Sequence, residues 1–597
     1  MDKPQSTRRR KARRRVMVLL VLCCAVFALF LARLAWLQFA MADHYAQKMA
    51  EASSASYTLP QHAARGAITD RSGTVLAQDE TVYDVYLRVP APPGTNLRET
   101  VNTIAALTGG KDVETQLAAF CSAVSAGELP VTQGLDSIGA AAYYRAGLVQ
   151  SGAVRLAARG VRRWPDGTIL PHTLGFTGPV TAEQWPAARA QGLAMDTTIG
   201  QNGLETAYDT LLRGRDGQLQ INVGLDGVTR ETMQTSAPVP GCTLVLTLDA
   251  DLQKTLRTAL QNQMDTLRTT KGIGAGREVR AGAAVVVDVR TGGILAAASL
   301  PDFDLSHYRS DYAALSADSA APLLDRVCQG LYAPGSAFKP AVAAAALTAG
   351  IDPAATVNCT GKYFYYSNYH PGCLQYGHCG PVDLRTALEY SCNIFFYDTG
   401  RRLGVDTFSA MARQLGLAND TGVEITAAQG RLTWSTDTNY QDGLTLMAAI
   451  GQGNTAVTPL QLAQYAATLA NYGRKPTLHF ADRAVQPATG AAVWQYEPAF
   501  TEIPGGEAVF GPIRDGMKRM AQTARALREA PVTVAAKTGS PQLADTLPGG
   551  SHYVNSVLIG YAPADDPQIA MAVVLEYGGG GANAAPVMRA VLDAWFE

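Results

Sequence analysis

Ser336-Ala337-Phe338-Lys339 is the stretch of this chain whose residue types and spacing most directly suggest covalent chemistry. A serine hydroxyl is a weak nucleophile until a neighbouring base takes its proton. A partly desolvated lysine three residues on, on the same helical face, can be that base. Two further stretches carry suggestive types: Ser391-Cys392-Asn393, and Lys537-Thr538-Gly539-Ser540. Each is weak alone, since a serine with a lysine at i+3 also fits a helix cap beside a surface lysine, and the second triplet fits an ordinary loop. A fourth group is metal-like. Cys359, Cys373, His378 and Cys392 are spaced C-x13-C-x4-H-x13-C, an acceptable tetrahedral zinc set, with His370 and Cys379 in the same span. A Cys359–Cys373 disulfide and plain buried thiols are the competing readings.

The flanking sequence says which elements must position these residues. Pro334-Gly335 is a turn and the apolar run after Pro340 is helical, so Ser336 is expected at a helix N-terminus, where a proline costs no intrahelical bond. Helical Leu384–Tyr390 precedes Ser391. The β-rich Val532-Thr533-Val534-Ala535-Ala536 runs into Lys537, and Pro541 restricts that strand to a sheet edge, where an extended peptide could pair. Thr243–Leu248 reads as a strand, followed by a helix from Asp249. Ala283–Asp288 and Ile294–Ala298 read as a hairpin closed by Thr291-Gly292-Gly293, with helices at 341–349 and 460–471 and a C-terminal strand pair, Val557–Tyr561 and Ile569–Glu576. Strands at both ends with helices between predict an α+β domain whose ends meet in one antiparallel sheet. Upstream, Val82–Leu87 is β-like, 100–155 is Ala-rich and helical, and 43–58 (His44, Tyr45, Lys48, Met49) has the spacing of a helical stalk.

Fifty basic residues against 51 acidic ones give the 597-residue chain a net charge of −1, which argues against a nucleic-acid binder. The average hides a split. Residues 1–15 hold eight basic side chains and one acid, leaving 42 basic against 50 acidic residues in the rest. Val16–Ala32 is uncharged and apolar, and the apolar character resumes after Arg33, so 16–39 is long enough to span a bilayer of about 30 Å. Basic residues before the span predict a cytoplasmic N-terminus and an exterior beyond about residue 40. The competing reading is a cleaved signal peptide ending at Ala40-Met41-Ala42, but the run exceeds an ordinary signal core, and Arg33 and Trp36 intervene.

The three short motifs in this order match the set carried by penicillin-recognising serine transferases. The chain resembles a class B penicillin-binding protein, a monofunctional peptidoglycan D,D-transpeptidase of the bacterial envelope. Arg65-Gly66-Ala67-Ile68-Thr69-Asp70-Arg71-Ser72-Gly73, Pro171-His172-Thr173-Leu174-Gly175 and Gly203-Leu204-Glu205 with Tyr208 resemble motifs of that family's pedestal, or dimerisation-like, domain. Gly451-Gln452-Gly453 with Thr458-Pro459-Leu460-Gln461 resembles a stretch of its transpeptidase domain. The resemblance implies a cytoplasmic tail over 1–15, a membrane helix over 16–39, a pedestal over 40–240 and a β-lactamase-like transpeptidase domain over 241–597, its antiparallel sheet flanked by helices.

It also implies roles. Ser336 would attack the penultimate D-Ala of a stem peptide, Lys339 would take its proton and Ser391 would relay one to the leaving amine. Asn393 would hold Lys339 and the substrate amide, while Lys537 and Thr538 would bind the terminal carboxylate. The Gly539-Ser540 backbone, with that of Ser336, would hold the oxyanion. A β-lactam would acylate Ser336 and stay. Serine at 540 departs from the threonine more usual there, which leaves the backbone donor intact. The chemistry needs no cofactor, and a structural zinc at the cysteine cluster, as in some elongation-type relatives, would pin the catalytic loop at Cys392. Expected partners are a membrane-embedded glycosyltransferase and other wall-synthesis proteins, with no nucleic acid. A D,D-carboxypeptidase and a non-catalytic β-lactam sensor or scaffold are the alternatives.

Overall fold

A computed structural model describes residues 5–45, 48, 55–88, 94–108, 128–195, 197–223, 229–374, 378–548 and 550–597. It forms two compact units, Met1–Ala63 with Arg215–Val239, and Ala64–Gly214 with Pro240–Glu597. In the first unit a helix spans Gln5–Ala35 and passes into a π turn, Trp36–Ala40. Within it, Arg10–Ala40 is long and apolar enough to cross a membrane. The described part of the basic segment, from Gln5, is helical and continuous with the apolar stretch. The helical stalk is corrected in part: Ala55–Gln61 is a strand pairing antiparallel with Gly217–Val223, which also pairs with Thr229–Ser236. The cross-strand ladder overrides the helical spacing read upstream. Met49 and the rest of 49–54 lie outside the described residues.

In the second unit the long strand Val75–Arg88 pairs antiparallel with Glu128–Leu135 and Val154–Arg163. Helices Leu97–Leu107 and Ser137–Arg145 occupy the Ala-rich region, but those two strands share it, and 109–127 lie outside the described residues. Arg65 and Arg162 both reach the fully buried Glu205, each at 2.6 Å, with Asp209 and Asp79 completing the cluster at 2.7 and 3.3 Å. Such buried charges are tolerated because every one is paired. Ile68–Thr69 then pairs in parallel with Thr243–Leu246, tying this region to the start of the next.

The remainder is built on a five-stranded antiparallel sheet. Its elements are α1 (Ala250–Arg268), β1 (Gly282–Asp288), β2 (Ile294–Leu300), α2 (Lys339–Thr348), α3 (Leu384–Glu389), α4 (Asn393–Leu403), α5 (Pro459–Ala470), α6 (Gly506–Thr523), β3 (Ala535–Gly539), β4 (Ser556–Ala562), β5 (Ile569–Leu575) and α7 (Ala585–Phe596). The order is β2-β1-β5-β4-β3, so the N- and C-terminal strands meet at the β1–β5 pair, Val285 opposite Ala572, and β3 is an edge. Alternate residues feed two cores. Val285, Val287, Ala572 and Val574 pack on the side of α5, whose residues are all buried. Val286, Met571 and Val573 pack with residues of α1 and α7 on the other side. A sheet covered on both faces explains why its strands read as unbroken apolar runs.

Candidate active site

Ser336 lies on a 3-10 turn, Gly335–Phe338, that runs directly into α2 with Pro340 in its first turn. Gly335 has φ +56°, a region costly for other residues, and a Cβ there would sit 3.0 Å from the Pro541 backbone nitrogen. A side chain at Gly539 would in turn collide with the Pro334 carbonyl. The serine turn and the edge strand β3 therefore meet backbone to backbone, which brings residue 336 beside 537–540.

Lys339 projects from the first turn of α2 and is fully buried. Its Nζ donates to the Ser391 carbonyl at 2.7 Å, Ser391 Oγ at 3.1 Å and Asn393 Oδ1 at 2.7 Å. Lys537, also fully buried, donates from β3 to the same Ser391 Oγ at 3.0 Å and to the Thr538 carbonyl at 3.1 Å. Ser391 joins α3 to α4 with φ +58°, a strained conformation of the kind that collects at functional sites. Its oxygen accepts from both lysines, so its own hydroxyl proton is free to be donated elsewhere. Burial lowers Lys339 to about 7, against a smaller upward pull from Cys392 and Cys373. Burial and then the neighbouring Lys339 charge push Lys537 well below the usual lysine range. Both amino groups therefore give up a proton more readily than an ordinary lysine.

The half-buried Ser336 hydroxyl has no hydrogen-bond partner among the described residues. All of the Lys339 bonds go to Ser391 and Asn393 rather than to it. Thr538 is half-buried, its hydroxyl 3.9 Å from Met520 Sδ, and exposed Ser540 accepts through Oγ from Gly581 N at 2.9 Å. Gly581 is a member of the site that the motifs do not point to. Its only signal is the run Gly578–Gly581, which by sequence reads as a loop.

Beside this triangle, the ligand atoms of Cys359, Cys373, His378 and Cys392 all lie within 4.8 Å of one another. The Cys359 and Cys373 sulfurs are each 3.6 Å from His378 Nε2. Tetrahedral zinc with Zn–S of about 2.3 Å and Zn–N of about 2.0–2.1 Å requires an S···N spacing of about 3.5 Å, so the donor set fits. Cys359 and Cys392 carry free thiols, so the Cys359–Cys373 disulfide is not formed. The cluster touches the site through Asn393, whose N–H donates to Cys373 Sγ at 3.4 Å and whose Nδ2 donates to the Gly372 carbonyl at 3.1 Å.

The arrangement has relatives. The penicillin-binding protein transpeptidase domain pattern matches residues 282–593, and the penicillin-binding protein dimerisation domain pattern residues 60–246. The peptidoglycan D,D-transpeptidase MrdA of Acinetobacter baumannii is 28% identical over 592 residues, covering 94% of this chain and 84% of that protein. Among solved structures, a chain from work on structural coordination of polymerization and crosslinking by a peptidoglycan synthase complex has 28% identity and a TM-score of 0.73, covering 98% of each chain. Helicobacter pylori PBP2, solved with MreC, has 23% identity and a TM-score of 0.74 over 91% of this chain and 99% of that one, a likeness of fold. With the transpeptidase pattern running through more than half its length, this chain belongs to the penicillin-binding protein transpeptidase family.

Proposed function

We propose that the protein is a peptidoglycan D,D-transpeptidase that cross-links stem peptides through an acyl-enzyme on Ser336 and is inhibited by β-lactams. The observation that carries this is the triangle of Lys339, Ser391 and Lys537 beside a serine whose hydroxyl is unengaged. Neutral Lys339 takes the Ser336 proton as the hydroxyl oxygen attacks the carbonyl carbon of the penultimate D-Ala. The oxyanion is held by the backbone N–H groups of Ser336 and Ser540, which cost no reorganisation because the turn and β3 are already in contact. Ser391, held by both lysines, passes its proton to the leaving D-Ala nitrogen as the C–N bond breaks, and Lys339 hands it the proton taken from Ser336. Lys537 and Thr538 bind the terminal carboxylate, and the open edge of β3 lets the peptide pair as an added strand. A second stem-peptide amine then attacks the ester, its proton returns by the same route to Ser336, and the cross-link is complete.

Cys359, Cys373, His378 and Cys392 would hold a structural zinc, whose contribution is to fix Cys392 between Ser391 and Asn393. The N-terminal helix anchors the protein with its basic end in the cytoplasm and the catalytic part outside, and a membrane-embedded glycosyltransferase is the expected partner. The 28%-identical neighbour from a peptidoglycan synthase complex supports that pairing. The test is cross-linking of pentapeptide-bearing strands by Ser336→Ala. The variant should reach the membrane and form no cross-links, and retained cross-linking would overturn the mechanism.

A further inference from the structure

Between Cys359 and Cys373 the chain carries five aromatic residues, Tyr363, Phe364, Tyr365, Tyr366 and Tyr369, which the proposed chemistry leaves unused. Phe364 is 63% exposed, Tyr365 58% and Tyr369 39%, which leaves much aromatic surface of this loop open to a ligand. The base of the loop and two of its rings are held by specific contacts. Tyr363 N donates to the Pro371 carbonyl at 3.0 Å and Cys373 N to the Gly361 carbonyl at 2.9 Å, closing the base of the loop. Buried Tyr363 donates to Asp398 at 2.9 Å and accepts from Arg401 at 3.0 Å, and the Arg401 guanidinium lies 3.9 Å over the Tyr365 ring. The loop base and the Tyr365 ring are therefore held in place before any ligand arrives, which lowers the ordering cost of binding there.

We propose that this loop is a binding platform for the glycan strand that carries the stem peptide, an inference that rests on the transpeptidase reading. Its base is continuous with the catalytic cleft, because the Gly372 carbonyl accepts from Asn393 Nδ2. A stem peptide held beside Asn393 leaves its sugar attachment outside the cleft, so the strand must run over neighbouring surface. The rings are interleaved with exposed Ser367, Asn368 and His370 rather than forming a continuous apolar groove. That pattern suits a ligand with C–H faces for the rings and hydroxyl and amide groups for the polar side chains, as an acetylated amino-sugar chain has. A protein helix or a lipid surface would call for an unbroken apolar face.

The experiment measures binding of full-length detergent-solubilised protein to glycan strands stripped of their peptides by an amidase. Wild type and Ser336→Ala should bind equally. Phe364→Ala/Tyr365→Ala should bind about tenfold more weakly, and Phe364→Tyr/Tyr365→Phe should restore binding. Thermal melting of each variant identifies any that fails to fold. Equal binding by the alanine pair, no binding of peptide-free strands by wild type, or no restoration by the aromatic pair would overturn the platform. Failure of the transpeptidase reading shows separately, as penicillin labelling that survives in Ser336→Ala.

Discussion

At the scale of single residues, the site is two buried lysine amino groups sharing one serine oxygen. Burying a lysine is costly, and a pair facing each other costs more than a well-packed apolar replacement would. Stability and activity should therefore separate at position 537. Lys537→Met should melt at or above the wild-type temperature while its acylation by a β-lactam falls at least about a hundredfold. A variant that melts well below wild type, or acylates at the wild-type rate, would contradict this account of the charge. The serine, lysine and asparagine identities are legible in the sequence because the three motifs stand in a recognisable order. Their connection is not. The left-handed backbone of Ser391 and the complete burial of Lys339 and Lys537 depend on contacts between segments far apart in the chain, and a lysine gives no local sign of being dry.

At the scale of elements, two short devices hold the machinery in place. Asp70 accepts from Ser72 N at 2.9 Å, Ser72 Oγ at 2.7 Å and Thr74 N at 2.8 Å, and its second oxygen accepts from Ala250 N at 3.1 Å, joining the turn before Val75–Arg88 to the start of α1. Burial pushes this carboxyl up, but hydrogen bonds from Ser72, Ala250 and Thr74 outweigh it and hold it below the usual value of 3.8. A carboxyl lowered by folding stabilises above its unfolded value, and that stabilisation is lost as pH falls through the folded one. Asp70→Asn should cost roughly 1–2 kcal/mol at neutral pH. The gap to wild type in urea melts should close as pH is taken below about 4, and a pH-independent gap would rule the carboxylate out. The second device is the cysteine cluster: protein purified without chelator should carry about one zinc per chain, lost together in Cys359→Ser and Cys392→Ser. Zinc-free wild type would remove the metal. The buried hairpin β1–β2 and the strand pair β4–β5 are legible as apolar runs. The strand Ala55–Gln61 is not, because its partner Gly217–Val223 lies far along the chain.

At the scale of the whole molecule, the near-neutral charge sums a basic helix start and an acidic remainder, a division that can be read from the order of the residues alone. That order does not reveal that residues 64–214 form one compact unit with 240–597, while 215–239 belong with the N-terminal segment. Those boundaries are set by strand pairing across long separations, such as Ile68–Thr69 beside Thr243–Leu246, which no local pattern encodes. The proposed mechanism turns on a single covalent bond. Membranes bearing the full-length protein, treated with a fluorescent penicillin and digested, should yield one labelled peptide carrying the adduct on Ser336, and Ser336→Ala should yield none. An adduct on any other residue, or equal labelling of Ser336→Ala, would contradict it.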